Sequence, residues 1–135
     1  MHILEKDYIT IEQIKEQNAI VLHWHENPTS AELKFALNTA RDFVKVNNVT
    51  NWVANTAKLG VVSDEDQEWV NNEWFPTLLK AGIKNMAIVV AQNIFGQMSI
   101  EEIMGTLNAE TGFESRYFNN LEEAITWIEQ YNAIG

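Results

Sequence analysis

The chain has 135 residues, with 9 Lys and Arg against 19 Asp and Glu, for a formal net charge of −10 and no Cys. That length suits one domain whose core stands without staples, and the missing Cys excludes disulfides, thiolate metal sites and a Cys nucleophile. The acidic balance argues against nucleic acid and anionic membrane surfaces as partners. The first ten residues carry Glu5, Lys6 and Asp7 where a signal peptide needs an apolar core. No run approaches the ~18 apolar residues of a spanning helix. The expectation is therefore a single cytoplasmic domain over 1–135 with no transmembrane segment.

Tyr8 to Ile14 and Ala19 to Trp24 are β-rich runs joined through Lys15-Glu16-Gln17-Asn18, a hairpin pattern. Ala19-Ile20-Val21-Leu22 is continuously apolar, as in a strand covered on both faces. After Asn27-Pro28, Thr29 and Glu32 make a capping box for a helix that buries Leu33, Ala36, Leu37, Ala40, Phe43 and Val44 and stops at Asn47-Asn48. Trp52-Val53-Ala54 reads as a central strand. Ser63, followed by Asp64-Glu65-Asp66, opens a second helix, with acid beside its positive end. That helix carries Trp69, Val70, Trp74, Leu78 and Leu79, and Pro76 predicts a kink or break near Glu73 to Phe75. Gly82 closes it.

Met86 to Ala91 is the clearest buried strand. Gln92 to Met98 then reads as a loop, with Ser99 and Glu102 as a capping box for a helix burying Ile100, Ile103, Met104 and Leu107. Phe113 to Phe118 alternates as a strand, and Asn120 with Glu123 caps a last helix through Leu121, Ala124, Ile125 and Ile128. The order ββαβαβαβα predicts an α/β fold with a mixed, mostly parallel sheet covered by helices.

That order resembles STAS-type domains, and three stretches resemble their SpoIIAA-like branch of small bacterial proteins. These are Trp69 to Pro76, with two tryptophans and a proline; Gly82 to Val89, a Gly-x-Lys-x-x-Ala approach to the fourth strand; and Tyr117 to Ala124 with Trp127-Ile128. The likeness runs from about Tyr8 to Tyr131 and rests on structural motifs. It implies a regulatory or ligand-binding module rather than an enzyme. In anti-sigma-factor antagonists of this type a Ser at the start of the second helix is phosphorylated, and Ser63 is the matching position. The Gly of that motif is missing, and Asn55 stands where relatives often carry Asp. Three adjacent carboxylates would repel a phosphate on Ser63, so an ordinary N-cap is expected there.

His23 and His25 share a face of a strand, with Glu26 beside them. Metal sites use three or four convergent ligands and His2 is the only other His, so local hydrogen bonding is the expectation and no metal is assigned. The carboxylates cluster at four predicted helix starts, where capping accounts for them. No nucleophile elbow, phosphate loop or dinucleotide fingerprint occurs, and no catalytic residue or cofactor is assigned.

The apolar surplus is more informative. Trp69 and Trp74 are five residues apart, about 140° on an α-helix, so both cannot centre one buried stripe. Loops after parallel strands are the usual ligand sites of open sheets. The loop Ala57 to Ser63, with Leu59 and Val62, and the segment with Ile94, Phe95 and Met98 should emerge at that end. Together with Trp69, Trp74 and Ser63 they form the candidate binding residues. The first expectation is a non-enzymatic interaction module with a protein partner, and self-association into a homodimer is a further candidate. The alternative is a carrier or sensor of a small apolar or lipid-like ligand. An unrecognised enzyme is the third reading.

Overall fold

The computed structural model describes residues 1–107 and 113–134. The elements run β1 (His2–Lys6), β2 (Ile9–Ile14), a 3-10 turn (Lys15–Gln17), β3 (Ala19–Trp24), α1 (Ser30–Asn47), β4 (Asn51–Asn55), α2 (Asp64–Trp69), a π-helical turn (Val70–Trp74), α3 (Phe75–Ala81), β5 (Asn85–Val89), α4 (Ile94–Leu107), β6 (Glu114–Phe118) and α5 (Leu121–Ile134). Among the described residues the six strands form one sheet in chain order, β1-β2-β3-β4-β5-β6. The first two pairings are antiparallel, and β3·β4, β4·β5 and β5·β6 are parallel. The α/β fold with a mixed sheet is as expected. Its order has one strand more than ββαβαβαβα, because β1 pairs with β2 at the edge. Its charges Glu5 and Lys6 are exposed, which suits an edge strand and hides it from a search for apolar runs.

The sheet has a core on each side. One face carries Ile11, Leu22, Trp52, Met86 and Ile88 against residues of α1, α3 and α4. The other carries Val21, Val53, Ala87 and Val89 against Ala124, Trp127 and Ile128 of α5. A sheet that advances one strand per crossover places its connecting helices on one side, so the reverse face needs a separate cover, which α5 supplies. This is why β3 and β5 read as unbroken apolar runs: both faces are buried.

The caps follow the local chemistry. The Thr29 side chain accepts from the Glu32 N–H while Glu32 accepts from the Thr29 N–H, and Asn48 ends α1 in the left-handed region. Ser63 accepts from the Asp66 N–H, and Asn120 from the Glu123 N–H. Gly82, at φ +115°, ends α3 in a conformation that a side chain would strain.

The predicted break before Pro76 takes the form of the π turn, in which the Phe75 N–H reaches back to the Val70 carbonyl. Pro76 has no N–H to offer the Asn72 carbonyl, so the regular ladder fails there. A π turn closes from i to i+5, which brings residues five apart nearer to one side than an unbroken α-helix does. Trp74 is thereby buried, and Trp69 is half-buried against the same core, with the Lys34 ammonium 5.6 Å from its ring centroid.

One expectation is overturned. Gln92 to Met98 is not a loop: α4 begins at Ile94, and Asn93 is its cap, accepting from the Phe95 and Gly96 N–H groups at 2.9 and 3.0 Å. Ser99 and Glu102 form no capping box. Ser99 lies inside the helix, its hydroxyl donating to the Phe95 carbonyl, and Glu101 and Glu102 lie about two turns into α4 rather than at a helix start. No helix among the described residues is long and apolar enough to cross a membrane.

Candidate functional site

At the carboxyl ends of the parallel strands the segment 57–63 lies against the first turns of α4. Gly96 permits the approach: a Cβ there would stand 2.7 Å from the Leu59 carbonyl oxygen and 3.0 Å from Gly60 backbone atoms. Three side chains fasten the segment. Ser99 Oγ accepts from the Val62 N–H at 3.2 Å, Gln67 Nε2 donates to the Val62 carbonyl at 2.9 Å, and Asn27 Oδ1 accepts from the Gly60 N–H. Ala57 also accepts from the Gln92 N–H at 3.0 Å. The segment is thus held on three sides, by α4, by α2 and by the turn before α1.

On this platform four apolar side chains face outward: Val61 is 58% exposed, Ile94 70%, Phe95 64% and Met98 51%. Phe95 and Met98 share one wall of a surface groove with Val61, Val62 and Ser63, and Asp64, Gln67 and Glu102 supply its polar edge. Ile94 stands one helical turn from Met98, so it extends the same patch. Of the candidate binding residues, Val62, Ser63, Phe95 and Met98 come together here and Ile94 adjoins them. Leu59 and Trp74 do not belong to this surface. Both are buried and line an internal chamber, because Leu59 turns inward beneath the segment and the π turn carries Trp74 into the core. Trp69 lies further along the same helical stretch, half-covered by Lys34.

The chamber sits between the first core face of the sheet and its helices. It has a volume of about 100 Å3, and its lining includes Leu22, Trp52, Ala54, Val70, Met86 and Met104. Val62 borders both the chamber and the outer groove.

The histidines make local contacts. His23 Nε2 lies 2.9 Å from Glu12 Oε1, its Nδ1 lies 3.1 Å from Asn55 Nδ2, and His25 Nε2 lies 2.7 Å from Thr10 Oγ1. No group of three or more His, Cys, Asp or Glu able to hold a metal occurs among the described residues. Two tyrosines titrate above the ordinary phenol range, Tyr8 through burial and then the Glu32 charge, Tyr117 through burial and then Glu101. Neither belongs to the platform.

Sequence reasoning missed Asn93, Gly96 and Ser99 as the residues that shape this end of the molecule. The signal was present in Asn-x-x-Gly, a cap followed by a residue small enough for backbone approach. Gly96→Ala should therefore force the 59–60 backbone away from α4 and lower unfolding stability by about 1–3 kcal/mol, the usual range for overpacking. Urea denaturation checks this, and an unchanged midpoint would mean that the two segments do not touch as described. No known protein family, characterised protein or solved structure matches the chain.

Proposed function

We propose that the chain is a non-enzymatic interaction module of the STAS type, and that a protein partner docks on the apolar patch of Val61, Ile94, Phe95 and Met98. Helices alternate with parallel strands in a sheet of sequential order, which supports the STAS-type reading. The observation that carries the docking reading is the patch itself. Large apolar side chains stay exposed on a backbone fastened by Gly96, Ser99, Gln67 and Asn27. A rigid platform lowers the ordering cost of association, and aromatic and Met side chains are enriched at interface cores. Asp64 and Glu102 at the groove edge, in a chain of net charge −10, favour a partner whose contact surface is apolar with a basic rim. Ser63, the exposed N-cap of α2, lines the same groove.

The test is Phe95→Asp. It places a charge in the middle of the patch, at a side chain already largely in water, so the melting temperature should barely move. Quantitative affinity purification from the native cells, followed by direct titration of the protein enriched on the parent chain, should show at least a 30-fold loss of affinity, the scale of a hot-spot residue. Affinity should also fall as salt rises, because the rim charges are exposed. Equal binding by the parent and Phe95→Asp would remove the patch from the interface. Sedimentation equilibrium separates a homodimer from a different partner, since a dimer would be dispersed by the same substitution.

A further inference from the structure

The internal chamber offers a second kind of recognition. Among the described residues its wall is apolar apart from two groups already engaged: the Thr56 hydroxyl donates to the Val89 carbonyl, and the Trp74 indole N–H donates to the Leu37 carbonyl at 3.0 Å. An ordered internal water needs two to four polar partners, and among the described residues of this wall the Thr56 hydroxyl oxygen is the one side-chain acceptor. Apolar chambers of this kind stay dry and take up apolar guests. Ala54 lies on a central strand covered by helices and yet keeps part of its surface uncovered; that surface faces the chamber. Val62 and Ile103, both half-exposed, form the stretch of wall nearest solvent.

We propose that this chamber is a binding site for a small, uncharged, apolar molecule. Its size sets the class. The volume of about 100 Å3 is somewhat below the roughly 150 Å3 of an engineered apolar cavity that takes up benzene or xenon. Met86 and Met104 line it, and unbranched thioether side chains adapt their shape, so a benzene-sized ring is the upper limit. A long acyl chain exceeds it. A carboxylate or ammonium group does not suit it, because no side chain among the described residues of the wall would pair with a buried charge. Entry runs beside Val62, the side chain shared with the outer groove. The site stands whether or not a protein docks outside.

Methyl-resolved NMR of the full chain under xenon pressure, and then with benzene, tests the site. The Met86 and Met104 methyl signals should shift saturably with both, while the Val21 and Val53 methyls on the other face of the sheet stay in place. Acetamide, a polar molecule of similar size, should move none of them. At a benzene concentration ten times its Kd the melting temperature should rise by about 5 °C. Ala54→Ile fills the chamber with a side chain suited to a strand and should abolish both effects. If that variant fails to fold, Ala54→Val, a smaller filling, should weaken benzene binding at least threefold. The site is refuted if the two methionines do not respond to xenon, if the filled variants bind benzene as the parent does, or if acetamide produces the same shifts.

Discussion

Trp74→Ala should lower unfolding stability by about 4 kcal/mol, within the 3–5 kcal/mol range for truncating a buried Trp. Trp74 is 4% exposed, its ring meets Trp52 edge-on at a centroid distance of 5.5 Å, and it leans on Phe75 at 6.5 Å. Its indole N–H holds the Leu37 carbonyl on α1. Truncation removes the aromatic contacts, leaves that carbonyl short of a donor and enlarges the chamber beside it. Trp74→Phe keeps much of the ring packing and loses the donor, so about 1–2 kcal/mol should go. Chemical denaturation of both variants measures the split. A loss below about 1.5 kcal/mol for Trp74→Ala would mean that the core collapses around the gap, and that the π turn does not hold the Trp in place.

The second large effect is expected at the opposite end of the sheet. Asn51 is fully buried. Its Nδ2 donates to the Gln17 carbonyl at 2.9 Å and lies 3.0 Å from Asn132 Oδ1, and its Oδ1 accepts from Asn85 Nδ2 at 3.0 Å. One amide thus joins the β2–β3 turn, β4, β5 and α5. Asn51→Ala leaves the buried Asn85 donor without its acceptor, while the Gln17 carbonyl keeps its bond from Asn132 Nδ2. About 2–3 kcal/mol should be lost, since one orphaned buried group costs about 1–3 kcal/mol. Asn51→Asp is nearly isosteric but puts a carboxylate against a carbonyl and an amide oxygen, so it should be at least as damaging. If Asp were tolerated much better than Ala, the residue would be a space-filler rather than a donor.

These sites show what the sequence could and could not disclose. The Thr29–Glu32 capping box, the caps at Ser63 and Asn120, the hairpin, the buried strand at Met86 and the break before Pro76 were legible because each depends on residues within a few positions. The start of α4 was misread for the same reason. Ser-x-x-Glu at Ser99 matches a cap, while Ile94, Phe95 and Met98 break the amphipathic rhythm by being exposed. An outward apolar face leaves no periodic trace of a helix. Asn51 and Asn85 stand just before the apolar runs Trp52 to Ala54 and Met86 to Ala91, and no local pattern marks them, because the groups they bond to come from elements far along the chain. Of the candidate site, the exposed patch was legible. The inward turn of Leu59 and Trp74 was not, since it depends on Gly96 and on the π turn.

The bond from Asn132 Nδ2 to the Gln17 carbonyl, 2.7 Å long, spans 115 positions. The strands otherwise meet their neighbours in chain order, so β1 to β6 can add one at a time as the chain emerges from the ribosome. α5 breaks that local economy. It docks across β4, β5 and β6 and then reaches back to a turn made near the beginning, closing a loop of 115 positions. Loop closure grows only slowly more expensive with length, but it must wait for its last residue. The second core face therefore stays uncovered until α5 has formed, and the apolar residues Val21, Val53, Ala87 and Val89 face water until then.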